Sequence, residues 1–213
     1  MDMEMKEYAA LIVECLEKII PTAKCSLEYN EPYQLMIATR LSAQCTDDRV
    51  NKVTRVLFEK YPTLESYADA DVADLEAIIR PCGLVHSKAE SIIGMCQAIR
   101  DKYKGIVPDN MEELLALPGV GRKSANLILG DVYHQPAIVA DTHCIRVAMR
   151  LRLVDSKKPE IVEKELKQLI PPEKTSDFCH RLVLFGREFC TSRSAKCGVC
   201  PLAQMIEGLH CDH

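Results

Sequence analysis

The sequence predicts an all-α protein on three observations. Apolar residues recur at helical spacing along nearly every segment, and no stretch keeps the strict alternation of a half-buried strand. The composition is rich in Leu, Ile, Ala, Val and Glu, with aromatics at only 5% and no Trp, a balance that favours helices over a β-sandwich. A chain of 213 residues buries roughly 70% of its unfolded surface, so its core needs no covalent staple. Hydrophobic residues at 47% and charged residues at 27% exclude a disordered chain.

The elements follow in order. Residues 5–20 place Tyr8, Leu11, Ile12, Cys15, Leu16 and Ile19 on one face, and Pro21 ends the run. Residues 33–44 and 46–60 read as two helices parted near Cys45–Asp47. Asp71 is an N-cap for a helix over 72–80, which Pro81 and the Cys82-Gly83 turn stop. His86 or Ser87 starts a helix that runs to about Tyr103. Asp109 caps a short helix, with Glu112 as its capping-box partner. Pro118-Gly119-Val120-Gly121 makes a tight turn before a helix over 122–133. Asp141 caps 142–152, Pro159 opens a helix to about Ile170, and a long helix over 175–189 precedes a cysteine cluster. Pro201 starts one further helical turn, packed by Leu202, Met205 and Ile206.

The net charge of -4 argues mildly against a polyanionic partner, but charge is unevenly spread. Residues 1–20 and 62–80 are acidic. From Gly119 to Arg152 the balance reverses, with Arg122, Lys123, Arg146, Arg150 and Arg152 against Asp131 and Asp141. Such a dipolar protein can set one basic face on phosphates. No apolar run reaches the ~18 residues that span a bilayer, and the charged N-terminus lacks the apolar stretch of a secretory signal. The expectation is a cytoplasmic protein with no membrane partner.

Cysteine is the outlier, at 11 residues. An odd number without an export signal speaks against a disulfide framework. Cys15, Cys25, Cys45, Cys82, Cys96, Cys144 and Cys179 sit among apolar residues and read as small buried hydrophobes. Cys190, Cys197 and Cys200 instead show the spacing C-x6-C-x2-C, with Cys211 ten residues further on. Four clustered thiols read as a metal site; thiolates suit zinc or an iron–sulfur cluster, and spacing alone does not separate the two.

Leu117-Pro118-Gly119-Val120-Gly121-Arg122-Lys123-Ser124-Ala125 joins two short helices. A helix opening on glycines exposes free backbone N–H groups that a phosphate can approach closely. The competing reading is a plain αα-turn whose glycines only relieve strain. Lys123 falls in the first helical turn, where the dipole disfavours an ammonium, the condition an amine nucleophile needs. Val139-Ala140-Asp141-Thr142-His143 then brings an apolar approach to a carboxylate at a helix start. Taken singly, Lys123 is equally a surface charge and Asp141 an ordinary N-cap.

These blocks, together with Leu41-Ser42-Ala43-Gln44-Cys45-Thr46-Asp47 and Gly83-Leu84-Val85-His86-Ser87-Lys88-Ala89, resemble the endonuclease III family of helix-hairpin-helix DNA glycosylases, in that family's order over about residues 30–200. The resemblance implies a two-lobed fold with the active site and DNA groove between the lobes. One lobe is a helical barrel over 25–134 with the hairpin; the other is discontinuous, from 1–24 and 135–213. It implies a monomer that binds damaged double-stranded DNA, excises oxidised pyrimidines and nicks the abasic site by β-elimination in the nucleoid. Lys123 matches the Schiff-base nucleophile and Asp141 the essential carboxylate. Gln44 and Leu84 match the residues that wedge into the gap left by the extruded nucleotide. Gly119, Gly121 and Arg122 of the hairpin, His143, and Arg193 and Lys196 of the cysteine loop are the remaining expected DNA contacts. The resemblance also implies a [4Fe–4S] cluster on Cys190, Cys197, Cys200 and Cys211, with zinc as the alternative metal.

Two departures stand out. The family's fourth cysteine position is Ile206 here, which leaves Cys211, or His210 and His213, to complete the site. Where the family often has Glu two residues before the hairpin's Leu-Pro, this chain has Leu115. The rival readings are an adenine-mismatch glycosylase, whose relatives lack the hairpin lysine and carry a further domain, and a non-catalytic DNA-binding module, which has no need of Lys123 together with Asp141.

Overall fold

The structure is a computed structural model that describes residues 3–209, and among these no strand forms. The chain divides into two compact units, residues 1–24 with 134–213 and residues 25–133.

The first unit opens with α1 (Met3–Ile19), whose Ile12 and Leu16 are fully buried. Tyr8 Oη on its rim donates to Leu151 O at 3.1 Å.

The second unit holds α2 (Pro32–Leu41), α3 (Asp47–Lys60), α4 (Leu64–Ala68), α5 (Val72–Ile79), α6 (Val85–Tyr103), α7 (Met111–Leu115) and α8 (Arg122–Asp131). α6 is its central element, with α2, α4 and α5 packed on it. Its inward stripe is Lys88, Ala89, Ile92, Ile93, Cys96 and Ile99, all buried. Asp71 caps α5 as predicted, accepting from Ala73 N and Asp74 N at 2.9 and 3.1 Å.

Several boundaries differ from the sequence reading. The helix expected over 33–44 stops at Leu41, because Gln44 takes a left-handed conformation (φ 57°) that no α-helix continues through. α6 begins at Val85, since Leu84 is likewise left-handed (φ 50°). Asn110, not Asp109, caps α7: its extended backbone aims the side-chain oxygen at Glu113 N, 3.0 Å away, so the Asp109/Glu112 capping box does not form. α4 was not anticipated; Thr63 and Ser66 form its capping box.

Back in the first unit come α9 (Thr142–Arg150), α10 (Pro159–Leu169), α11 (Thr175–Glu188) and α12 (Pro201–Met205). α9 packs on α11, and α1 packs on α10, α11 and α12. Pro159 opens α10 as predicted. Leu202 and Ile206 are buried, while Met205 stays exposed: Leu202 forms the inward edge of the short α12 and Ile206 turns in just after it. Of the seven cysteines expected in the core, five are buried; Cys25 and Cys45 are only half-buried.

Candidate active site

The hairpin between α7 and α8 needs glycine at 119 for two reasons. Its φ is +74°, and a Cβ there would lie 2.7 Å from Ser91 Cβ and 3.0 Å from Arg40 Nε. The turn is thus pressed onto α6. Arg40 holds the same face of α6, its Nη2 donating to Ser87 Oγ and Ser87 O at 2.9 and 3.2 Å.

Gly121 is different. Its backbone is extended (φ -103°, ψ 172°), and a Cβ there would meet no atom within 4 Å. Neither conformation nor packing demands glycine, so its effect is to leave clear the surface before α8. No side chain caps that helix, and its first-turn N–H groups have no intrahelical acceptors. Ala125 to Gly130 are buried, which fixes the helix and leaves Arg122 and Lys123 on the exposed first turn.

Gln44 and Leu84 are both exposed, and both are non-glycine residues held at positive φ. Such a conformation costs about 1–2 kcal/mol and survives only where its surroundings dictate it.

In the other unit, Asp141 caps α9. Its Oδ1 accepts from Cys144 N at 2.7 Å, and the residue remains partly exposed. Ala137 to Ala140 ahead of it are buried, which anchors the carboxylate. His143 lies against Arg146, with Nδ1 3.1 Å from Nη2.

Two arginines of α9 hold the start of the cysteine loop. Arg146 donates from Nε to Cys190 O (3.1 Å) and from Nη2 to Gly186 O (2.9 Å). Arg150 Nη1 donates to Thr191 O at 2.8 Å and lies 3.3 Å from Cys190 Sγ. Arg146 and Arg150, counted above in the basic stretch, are therefore committed to this loop. Beyond it, Arg193 and Lys196 are exposed.

Cys190, Cys197 and Cys200 line a cavity of about 340 Å³ together with Arg150, Phe185 and Leu209. Among the described residues, no three His, Cys, Asp or Glu side chains form a ready-made set for a metal ion. The fourth expected ligand Cys211, with His210 and His213, lies outside the described residues. The donor chemistry still fits a thiolate-held cluster. Three thiols face one cavity, with the Arg150 guanidinium 3.3 Å from Cys190 Sγ.

Comparison with known proteins decides the family. Residues 37–172 match the model of the HhH-GPD superfamily of base excision DNA repair proteins. The chain is 42% identical to endonuclease III of Synechocystis over 201 residues, 94% of this chain and 92% of the relative. It is 38% identical to endonuclease III of Escherichia coli K12 over 187 residues, 88% of this chain and 89% of the relative. A non-covalent endonuclease III–DNA complex matches at a TM-score of 0.89 with 42% identity, covering 95% of each chain.

This chain belongs to the endonuclease III family. Members of the endonuclease III family are DNA N-glycosylases and abasic-site lyases of base excision repair, and this chain is one of them. A thermostable thymine-DNA glycosylase, 22% identical with a TM-score of 0.82, shares the fold.

Sequence reasoning left Lys88 without a role. The one available signal was a lysine on an apolar stripe, in step with Ile92 and Cys96 at i+4 and i+8. Arg150 also escaped notice as a holder of the cysteine loop, since nothing in its spacing ties it to Cys190.

Proposed function

We propose that this endonuclease III family member excises oxidised pyrimidines from damaged double-stranded DNA and then cuts the abasic strand by β-elimination, with Lys123 as nucleophile and Asp141 as the essential carboxylate. One observation carries the reading. Lys123 is exposed on the first turn of α8, in a chain 42% identical, over 94% of its length, to an endonuclease III trapped as a covalent intermediate with DNA (TM-score 0.88). A covalent intermediate requires a nucleophile, and the Lys123 amine stands exposed on the first turn of α8 to supply it.

The damaged nucleotide leaves the stack first, at a cost of a few kcal/mol that is smaller for a poorly stacked base. Gln44 and Leu84 occupy the gap: the amide hydrogen-bonds the orphaned base and the isobutyl group fills volume. The Lys123 amine attacks C1′, the glycosidic bond breaks, and its electrons leave with the base. Asp141 stabilises the positive charge that develops on the sugar. Opening of the sugar ring gives an iminium, which acidifies the C2′ proton; loss of that proton expels the 3′ phosphate.

Gly119, Gly121 and Arg122 grip the backbone without reading sequence. Arg193 and Lys196 meet further phosphates, and His143 faces the nucleic acid beside Asp141. In this reading residues 25–134 and residues 1–24 with 135–213 are the two domains, and the protein works as a monomer. Cys190, Cys197, Cys200 and Cys211 hold a [4Fe–4S] cluster, in preference to zinc. Bound there, the cluster is structural: it pins the loop that carries Arg193 and Lys196.

Borohydride reduction on an abasic-site duplex tests the nucleophile. The wild-type protein is expected to become covalently attached to DNA, and Lys123→Gln to lose attachment while still binding. Undiminished attachment by the variant removes Lys123 from the mechanism.

A further inference from the structure

Lys88 is fully buried, and although burial lowers the pKa of its amine, the acceptors around it are those that suit an ammonium. Its Nζ donates three hydrogen bonds of 2.8 Å each, to Leu41 O, Ala43 O and Cys82 O. An ammonium has three donors, so all are satisfied. The acceptors suit a cation: Leu41 is the last residue of α2, where helix carbonyls carry the negative end of the dipole, and Cys82 closes the 3-10 turn Arg80–Cys82.

The positions of these carbonyls matter more than their number. Ala43 immediately precedes Gln44, and Leu41 stands three residues before it. Cys82 stands two residues before Leu84, and the Lys88 backbone N–H donates to Leu84 O at 3.0 Å. One buried side chain therefore joins the turn that carries Gln44 to the turn that carries Leu84. Gln44 and Leu84 are both exposed and both held at positive φ.

A buried charge is a poor way to add stability, since an apolar side chain of similar volume generally serves as well or better. What an ammonium supplies and an apolar group cannot is directional attachment to three carbonyls from two separate turns. We propose that Lys88 is a positioning residue for base excision: it fixes the Gln44 turn and the Leu84 turn in one register, so that both side chains enter the duplex together. This rests on the wedge role given to Gln44 and Leu84 above.

The test uses the full-length protein and a duplex with 2-aminopurine opposite an abasic site, whose fluorescence at saturating protein reports side chains entering the gap. Gln44→Ala and Leu84→Ala are measured first; if both keep the wild-type fluorescence change, the wedge reading fails independently of Lys88. With that change lost in both, Lys88→Met is expected to raise amide hydrogen exchange at residues 42–46 and 82–86 at least tenfold and to lose most of the fluorescence change. The ratio of duplex to single-strand borohydride trapping should fall by a similar factor, which a general loss of folded protein would not alter. Lys88→Gln, which keeps part of the donor set, is expected to fall between and carries the test if Lys88→Met does not fold. Wild-type exchange and fluorescence in a folded Lys88 variant overturn the proposal.

Discussion

Gly119 and Gly121 look alike in the sequence and differ in the structure, and the difference separates a folding role from a binding role. Gly119→Ala forces a Cβ into a left-handed backbone and against Ser91 Cβ at 2.7 Å. It is expected to cost about 1–3 kcal/mol in denaturant unfolding. Gly121→Ala meets no neighbouring atom and should change stability by less than about 0.5 kcal/mol. Its effect should appear in the anisotropy of a labelled abasic-site duplex as weaker binding, because the methyl group would stand where the proposed grip brings a phosphate close. Equal affinity for wild type and Gly121→Ala would assign this glycine no part in the grip. Asp141→Asn makes the same separation at the other residue. Asn caps a helix about as well as Asp, so the unfolding midpoint should hardly move. Single-turnover base release should fall by a factor on the order of 10² or more if the charge, and not the cap, is what matters.

Between α5 and α6 one imidazole bridges two carboxylates. His86 Nδ1 lies 2.7 Å from Glu76 Oε1, and its Nε2 lies 3.3 Å from Glu90 Oε1. The hydrogen bond to Glu76, with the field of Glu90 behind it, raises the pKa of His86 above its ordinary 6.5. The folded protein therefore holds this proton more tightly than the unfolded chain. The resulting stabilisation is fully present below about pH 6.5 and is lost as pH rises through the higher folded value. NMR titration of the His86 ring should show the raised pKa, and His86→Gln should flatten that part of the dependence of the thermal midpoint on pH; an unshifted ring would end the argument. Helices of this kind were legible where a cap or a proline marks them, as Asp71 does for α5 and Pro159 for α10. They were illegible where a left-handed residue bounds them, because Gln44 and Leu84 carry no glycine-like signal; the carbonyls beside them are held by Lys88, which is distant in sequence from the Gln44 turn. Likewise Lys123 and Asp141 were nominated by the family resemblance of their motifs, whereas the arginine clamp on Cys190 exists only once α9 and α11 pack. For the cysteine loop itself, purified protein should be yellow-brown with about four irons per chain. Cys197→Ala and Cys211→Ala should each bleach it and Cys179→Ala should not; colourless protein containing zinc would replace the iron–sulfur assignment.

At the scale of the molecule, a net charge of -4 has to coexist with a polyanionic substrate. Much of the acidity is spent locally. Asp69 pairs with Arg100 at 2.7 Å, Asp71 is occupied as a cap, and Glu76 is held by His86. The cations are spent locally too, since Arg146 and Arg150 are bound to carbonyls of the cysteine loop. Arg122 in one unit and Arg193 and Lys196 in the other are the exposed cations at the positions proposed to meet phosphate. Each phosphate neutralised by a cation contributes about -0.9 to the slope of log K against log salt. Three such contacts predict a slope of about -2.7 for an abasic-site duplex, measured by anisotropy between low and moderate salt. Lys196→Gln should reduce the magnitude by about one, because it removes one of the three charges. A slope of about -2 or shallower would mean that the cations of only one unit reach phosphate. A slope beyond about -4 would mean that Arg146 and Arg150 are released from Cys190 when DNA binds, so the same measurement reports whether the cysteine loop keeps its arginine clamp on the duplex.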